Sequence, residues 1–256
     1  MRRTVTIDCL PESARGYSAG WAVVAIDVIR ATTSAITVAA MGGRCFPVAT
    51  TEQARELAAT LPDPLLAGEC GGEMAPGFEM NNSPAELASR RDVSRPVILL
   101  SSSGTRLLCE ASRCDRVYLA CLRNWGYQAR YLVGKHERIA IIGAGSRGQF
   151  REEDQLCCAW LAARLLAAGY EPKDERTSNL VARWATARPE AVARGESAKF
   201  LRRTGQGKDL HFILSHVNDL PMAFAQISGE VIAVSAFDAH VSPRPQIAGF
   251  SRPRWV

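Results

Sequence analysis

The sequence predicts an α/β protein with three α/β/α layers, in which helices cover both faces of a largely parallel or mixed β-sheet. Three segments share one plan: an apolar run, then a polar turn, then a helical pattern. The apolar runs are WAVVAIDV (residues 21–28), RPVILL (95–100) and RIAIIGAG (138–145). Short, nearly continuous apolar runs are typical of strands that are buried on both faces. Their alternation with helices favours a parallel sheet.

The other elements are assigned in chain order. The first strand leads into a helix that ends at Gly42 and Gly43, because glycine terminates helices. The third strand is followed by a polar stretch and a helix over residues 155–169, and residues 171–209 are charged and favour helices. Shorter strands are predicted at residues 45–49, 63–68 and 116–122, a helix or strand–helix junction at 211–226, and a late strand at 231–237.

The order of these elements predicts two α/β subdomains with the active site between them. Residues 1–134 contain the motifs IDVIRATT, GECGG and SSSGT, and residues 135–240 contain GAGSRGQFREED. Residues 241–256 are rich in proline and arginine. We expect them to form an extended arm over the body or over a neighbouring subunit, so a homodimer is a possible assembly.

Composition restricts the classes of partner. The 256 residues are 47% hydrophobic and 22% charged, which is ordinary for a globular protein. The net charge of +5 is compatible with an anionic partner, but no lysine-rich run or aromatic-basic pattern predicts binding to nucleic acid. The longest uncharged stretch, residues 31–43, is shorter than the roughly 20 apolar residues of a membrane span.

The eight cysteines indicate the redox environment. None of them forms a CxxC pair, and the four histidines make no zinc-like cluster with them. No signal peptide is expected, because the first residues, MRRTVTID, lead directly into a mixed polar segment. Reduced thiols in a cytoplasmic protein are the simplest interpretation.

Polar residues follow each predicted strand, at the edge where ligands bind in open α/β sheets. These residues are Asp27, Arg30, Thr32, Thr33, Glu69, Ser101, Ser102, Ser103, Gly104, Thr105, Arg106, Ser146, Arg147, Gly148, Arg151, Glu153 and Asp154. Taken singly, each has an ordinary explanation as a helix cap, a first-turn acid or a surface charge. Together they predict carboxylates that hold Mg²⁺, beside arginines, hydroxyls and backbone amides that hold a phosphate.

Two other interpretations were tested against the sequence. GAGSRG (residues 143–148) matches the dinucleotide fingerprint GxGxxG. However, its helix does not open within the motif and no acid lies about 20 residues further on, which argues against a nicotinamide-dependent reductase. The DxD motif of haloacid-dehalogenase phosphatases is absent, because Val28 and Ile29 follow Asp27.

Five ordered motifs carry a family resemblance. They are AIDVIRATT (residues 25–33), GECGG with GFEMNNSP (68–84), SSSGTRLL (101–108), ACLRN (120–124) and GAGSRGQFREED (143–154). They resemble the motifs of the 2-phosphosulfolactate phosphatase family of coenzyme M biosynthesis. The resemblance implies a Mg²⁺-dependent phosphatase that converts a small polyanion, (R)-2-phospho-3-sulfolactate, to sulfolactate and phosphate.

The polar residues after each strand and the resemblance together suggest roles for individual residues. Catalytic roles are expected for Asp27, Thr105, Glu153 and Asp154, and Mg²⁺ ligation for Asp27, Glu69 and Asp154. Substrate binding is expected for Arg30, Thr32, Asn82, Ser83, Ser102, Ser103, Gly104, Arg106, Asn124 and Arg147. Whether Asp27 is a nucleophile or a metal ligand stays open.

Several positions depart from the family pattern. Cys70 stands where the family has arginine, Ser103 replaces asparagine and Asn81 replaces glycine. Arg123 and Arg151 stand where the family tends to have apolar or hydroxyl residues. These departures leave two alternatives open: a phosphatase for another phosphorylated organic acid, and a non-catalytic anion-binding homologue.

Overall fold

A mixed β-sheet of 11 strands organises residues 2–235, the part of the chain that the computed structural model describes. The strands are β1 (Thr4–Cys9), β2 (Ala22–Ile26), β3 (Cys45–Val48), β4 (Leu65–Cys70), β5 (Glu73–Met74), β6 (Val97–Leu100), β7 (Arg116–Ala120), β8 (Arg138–Gly143), β9 (Glu171–Pro172), β10 (Ala223–Ile227) and β11 (Glu230–Val234). The predicted arm at residues 241–256 lies outside the described residues.

Helices cover both faces of this sheet, which confirms the predicted three-layer α/β class. They are α1 (Ala31–Ala40), α2 (Thr51–Ala58), α3 (Pro84–Ser89), α4 (Gly104–Glu110), α5 (Trp125–Leu132), α6 (Glu152–Ala167), α7 (Glu175–Trp184), α8 (Glu196–Arg203) and α9 (Gly207–Ser215). In residues 2–235 none of the helices combines the length and the apolar character that crossing a membrane requires.

Strand β2 shows why the sheet has two apolar faces. Val23 and Ala25 belong to one cluster of buried side chains, whereas Val24 and Ile26 belong to another. Successive side chains of a strand point to opposite faces, so a strand that is covered on both faces needs an uninterrupted apolar run. The sequence AVVAI of β2 meets that requirement, and all five residues are buried.

The sheet consists of two parallel blocks joined by a hairpin. The strand order is β5-β4-β6-β3-β11-β10-β7-β2-β8-β1-β9. Strands β4, β6 and β3 are mutually parallel, as are β7, β2, β8, β1 and β9. The hairpin β10–β11 pairs antiparallel with β7 on one side and with β3 on the other, where Val231 and Cys45 form a single register pair.

This arrangement places the two parallel blocks in opposite directions. In a flat sheet the carboxyl ends of β2 and β6 would therefore lie at opposite edges. The two strands are separated by five steps in the strand order, and neighbouring strands rotate by about 20–25° per step. The sheet is therefore not flat, and the turns that follow the two strands meet at Gly104 and Asp27, where an added Cβ on Gly104 would lie 2.2 Å from Asp27 Oδ2.

The predicted boundary between residues 134 and 135 does not divide this sheet. Strand β8, from the second predicted subdomain, lies between β1 and β2 of the first. Strand β8 is buried, and its backbone groups need a neighbouring strand on each side, which β1 and β2 supply. Strand β1 is not predicted from the sequence, and residues 211–226 contain the second half of helix α9 followed by most of β10.

Candidate active site

The turn after β2 is fixed by hydroxyl groups. The backbone N–H of Asp27 donates to Thr32 Oγ1 at 2.9 Å, and Thr32 Oγ1 lies 2.8 Å from the carbonyl oxygens of Asp27 and Ala120. Thr33 Oγ1 donates to the carbonyl oxygen of Val28 at 2.8 Å. Both threonine hydroxyls are therefore used inside the protein, where they hold the turn that presents Asp27.

Asp154 connects the turn after β2 to the turn after β8. Its Oδ1 accepts the N–H of Val28 at 2.9 Å, and its Oδ2 accepts the N–H of Gly145 at 2.9 Å. Gly145 has a φ of +61°, and an added Cβ there would lie 2.4 Å from the carbonyl oxygen of Gln149. The first turn of α6 is therefore attached to two strand ends.

Glu69 lies at the end of β4 and holds the turn after β6. Its carboxylate accepts the N–H of Ser102 at 2.6 Å, the hydroxyl of Ser102 at 2.9 Å and the N–H of Gly72 at 2.7 Å. Glu69 is 9% exposed, and these donors compensate for its removal from water. Glu69 thereby connects the polar loop at Gly71 and Gly72 to the SSSGT turn (residues 101–105).

Gly104 brings the two parallel blocks into contact. An added Cβ on Gly104 would lie 2.2 Å from Asp27 Oδ2 and 2.6 Å from the Cβ of Ala31. The first turn of α4 can therefore approach Asp27 only because residue 104 has no side chain. Thr105 shapes this turn: it donates to the carbonyl oxygen of Ser101 at 3.0 Å and accepts the N–H of Ser101 at 2.7 Å.

Four carboxyl groups interact electrostatically across these turns. Burial, the main cause, together with the neighbouring charges of Glu69 and Glu153 raises the pKa of Asp27 to about 7, although the Ala31 N–H and Arg30 act in the opposite direction. Burial likewise raises the pKa of Asp154 well above its ordinary value, with further contributions from Asp27 and Glu153.

Glu153 belongs to this group of carboxyls and is 1% exposed. Burial raises its pKa, against a hydrogen bond from Ser197. Its Oε2 atom is buried and has no hydrogen-bond partner in the part of the chain that the structure describes. An added Cβ on Gly195 would lie 3.1 Å from this Oε2 atom, so the segment before α8 passes directly beside the carboxyl group.

Comparison with known proteins identifies the family to which this site belongs. The sequence profile described as 2-phosphosulpholactate phosphatase matches residues 9–220, which includes every turn described above. The chain belongs to the 2-phosphosulfolactate phosphatase family. This membership places it among the phosphatases, which hydrolyse phosphoric monoesters.

Individual relatives in the 2-phosphosulfolactate phosphatase family cover most of the chain. A protein of Symbiobacterium thermophilum is 35% identical over 195 residues, which is 75% of this chain and 82% of the relative. A protein of Deinococcus radiodurans is 35% identical over 211 residues, covering 80% and 86% respectively. One from Clostridium perfringens is 29% identical over 225 residues, covering 85% and 90%. Each is named a probable 2-phosphosulfolactate phosphatase.

The segment GFEMNNSP contains three consecutive polar residues, of which Asn81 contacts Arg30 directly. Asn81 Oδ1 accepts from Arg30 Nη2 at 2.9 Å, and Ser83 caps helix α3 by accepting the N–H of Glu86 at 3.2 Å. Asn82 is 2% exposed, and its buried Oδ1 atom has no hydrogen-bond partner among the described residues. An unsatisfied buried acceptor of this kind suits a ligand that donates a hydrogen bond or a cation.

Three other predicted site residues have surroundings that do not involve the four buried carboxyls. Arg106 pairs with Glu12 at 2.7 Å, with its side chain 39% exposed. Asn124 is fully buried, and its Oδ1 accepts the N–H of Cys121 at 3.0 Å. Arg147 is exposed, with a φ of 52°, and forms no ion pair within residues 2–235. The roles predicted for all three residues stay predictions.

The structure adds two residues that sequence reasoning missed. Asp209 and Gln206 both accept hydrogen bonds from Arg30 Nη1. The segment TGQGKDL around them indicates only a helix break followed by a polar helix start. Because these residues lie more than 170 positions from Arg30, no local pattern could have revealed the contact.

The donor set fits a hydrated magnesium ion rather than a complete protein cage. Among residues 2–235, no group of three or more histidine, cysteine, aspartate or glutamate side chains is arranged to hold a metal ion. Mg²⁺ usually takes one or two carboxylates and completes its shell with water and substrate phosphate. The carboxylate oxygens of Asp27, with Glu69 and Asp154 nearby, are donors of the type that this lesser requirement needs.

Proposed function

We propose that this protein is a Mg²⁺-dependent phosphatase that hydrolyses a small anionic phosphate monoester. The substrate that its family favours is 2-phospho-3-sulfolactate, with sulfolactate and phosphate as products, which would assign it to coenzyme M biosynthesis. The observation that carries this proposal is the group of buried carboxyls Asp27, Glu69, Glu153 and Asp154 beside Arg30. Buried carboxyls that raise one another's pKa values are typical of functional sites.

Asp27 is the first choice for holding the cation. Asp154 already accepts two backbone N–H groups, and Glu69 accepts three hydrogen bonds. Within residues 2–235 the Asp27 carboxyl accepts a hydrogen bond only from the N–H of Ala31, so it keeps more free lone pairs. Glu69 and Asp154 would contribute directly or through water. Mg²⁺ bound here would neutralise phosphoryl charge and organise the attacking nucleophile.

Cationic side chains would hold the substrate oxygens. Arg30 is 5% exposed, and the Nε–H and one Nη2–H have no partner among the described residues. Arg147 presents an exposed guanidinium on the turn before α6. A guanidinium that keeps free N–H donors suits phosphoryl or carboxylate oxygens, because its planar fork makes two parallel hydrogen bonds.

Glu153 would move the proton. Its raised pKa keeps the carboxyl protonated at a higher pH than an exposed glutamate. A buried carboxylic acid can donate a proton to the oxygen of the leaving group, and a positioned acid typically contributes about 10²–10⁴-fold to the rate. The lack of any partner at Oε2 leaves that atom available for the transfer.

The direct test is phosphate release from a panel of small phosphorylated acids, with MgCl₂ and with EDTA. We expect turnover of 2-phospho-3-sulfolactate that requires Mg²⁺ and returns when Mg²⁺ is restored after chelation. Turnover that is unchanged in EDTA would refute the dependence on a cation. No turnover of any phosphate monoester would refute the assignment as an enzyme.

One observation favours a second candidate substrate class. Cys70 is exposed at the end of β4, directly after Glu69, where the family motif has an arginine. This position next to Glu69 therefore lacks the cationic side chain that the family motif supplies, and we infer that a sulfonate would be bound less well. In the same assay panel, faster turnover of a phosphorylated carboxylic acid without a sulfonate would identify this protein as a phosphatase for another organic acid.

A further inference from the structure

Arg30 is held by a network that no sequence motif predicts. Its Nη1 donates to Asp209 Oδ2 at 2.7 Å and to Gln206 Oε1, and its Nη2 donates to Asn81 Oδ1. The side chains of Arg30 and Asp209 are 4% and 0% exposed respectively. A charge buried to this degree requires a partner of opposite charge, and Asp209 supplies it.

Both oxygens of Asp209 are used. Oδ2 accepts from Arg30, whereas Oδ1 accepts the hydroxyl of Ser83 and the N–H of Ala85 at 3.3 Å. Asp209 therefore joins the guanidinium after β2 to the first turn of α3, two elements that come from different motifs. Gln206 adds a second link, because its Oε1 also accepts from Asn81 Nδ2 at 3.3 Å.

The segment that carries Asp209 also touches the rest of the site. Gly195 lies beside Glu153, and an added Cβ on Gly72 would lie 2.6 Å from the ring of Phe200. Residues 195–209 therefore extend from Glu153, past the loop that follows Glu69, to Arg30. The contacts of Asp209 are thus part of the surroundings of the four buried carboxyls.

We propose that Asp209 is a positioning residue that orients the Arg30 guanidinium toward the phosphoryl group, an inference that rests on the proposed function. Asp209 and Gln206 together occupy Nη1, so the guanidinium cannot rotate without breaking both bonds. The Nε–H and the second Nη2–H then remain available for the substrate. Donors that are fixed before the substrate binds need no reorganisation in the transition state.

The test compares kinetics in a double-mutant cycle. Asp209→Asn keeps the shape and an acceptor for Ser83 but removes the charge, and Arg30→Ala removes the guanidinium. We expect Asp209→Asn to lower kcat/KM by about 10–100-fold, and the double variant to be no slower than Arg30→Ala. Multiplying effects in the double variant, or full activity in Asp209→Asn, would overturn the assignment.

A matched control separates positioning from loss of stability. Glu230→Gln breaks another ion pair, that of Arg44 with Glu230 at 2.8 Å, on the hairpin between the blocks. We expect this control to retain the wild-type kcat/KM. If Asp209→Asn does not fold, Gln206→Ala removes the neutral acceptor of the same Nη1 atom, and an unchanged kcat/KM in that variant would then overturn the proposal.

Binding of inorganic phosphate distinguishes failure of this inference from failure of the proposed function. Calorimetric titration of the wild type and of Asp209→Asn with phosphate in the presence of Mg²⁺ needs no turnover. We expect the dissociation constant to rise by about 10-fold in Asp209→Asn. Equal affinities would overturn the positioning role even if the wild type is an active phosphatase. Weaker binding by the variant would support the role even if the wild type has no activity.

Discussion

Asp27 combines deep burial with acidic neighbours, and this combination makes folding depend on pH. Its pKa is raised to about 7 in the folded protein from an ordinary value of 3.8. Between these values the folded state binds more protons than the unfolded state. The resulting stabilisation is therefore complete below about pH 4 and is lost as the pH rises through about 7.

The variant Asp27→Asn tests this linkage, because an amide cannot ionise. Without divalent cations, we expect Asp27→Asn to be more stable than the wild type by about 1–3 kcal/mol near about pH 8, and the difference to shrink toward about pH 4. Urea unfolding at both pH values measures the effect. Glu56→Gln, at an exposed site on α2, is the control and should show no such pH dependence. Wild-type stability that increases from about pH 6 to about pH 8 would contradict the interpretation.

Gly104 is a second residue with a measurable consequence. The variant Gly104→Ala places a Cβ within 2.2 Å of Asp27 Oδ2, so either α4 or the carboxyl group must move. We expect a loss of about 1–3 kcal/mol in the free energy of unfolding together with a loss of phosphatase activity. Gly16→Ala is the matched control, since an added Cβ there meets no atom within 4 Å. Equal stability and activity in both variants would show that the contact is not needed.

Among the secondary-structure elements, the hairpin β10–β11 has the most unusual position. It lies between two parallel blocks, and the N–H of Phe224 donates to Gln128 Oε1 at 2.8 Å. Phe224 itself is fully buried. A late pair of strands therefore completes a sheet whose other strands come from the preceding residues.

Removal of the Phe224 ring should destabilise the whole sheet. We expect Phe224→Ala to lower the free energy of unfolding by about 3–5 kcal/mol, because the buried cavity cannot fill completely. Glu230→Gln, on the same hairpin, should cost only about 0–1 kcal/mol, since its partner Arg44 is 38% exposed. Chemical denaturation measured by circular dichroism compares the two variants. A smaller effect for Phe224→Ala than for Glu230→Gln would argue against the structural role of the hairpin.

For the molecule as a whole, the grouping of carboxyls predicts a response to cations. Repulsion among ionised Asp27, Glu153 and Asp154 destabilises the metal-free protein at alkaline pH. We expect millimolar MgCl₂ to raise the melting temperature at about pH 8 but less at about pH 5, where protons replace the cation. Asp27→Asn should reduce the shift. Equal shifts with NaCl at matched ionic strength would indicate screening instead of a bound ion.

Much of this architecture could be predicted from the sequence. The apolar runs of β2, β6 and β8 are long enough to identify buried strands, and the turn after each run contained the residues that the structure brings near Asp27. Strand β1, TVTIDC, is not predicted because Thr4, Thr6 and Asp8 interrupt its apolar residues, so it contains no continuous apolar run. The direction of the two blocks could not be predicted either, since it depends on pairing between distant strands and on the twist that accumulates across them.

The candidate site is likewise only partly predictable from the sequence. The sequence places Asp27 and Glu69 at strand ends and Asp154 in the motif that follows the third predicted strand, and their roles stay predictions. The engagement of Thr32 and Thr105 inside their own turns is not predicted, because a hydroxyl that caps and a hydroxyl that binds have the same local sequence. Asp209 had no signal at all, since its partner Arg30 is 179 residues away in the chain.

The position of β8 between β1 and β2 determines how the chain can be divided. A fragment that stops at residue 134 would contain β1 without either of its neighbours and β2 with one side unpaired. Exposed strand edges recruit other chains, so such a fragment is expected to aggregate when expressed alone. Co-expressed halves, in contrast, could recover the native pairing by complementation.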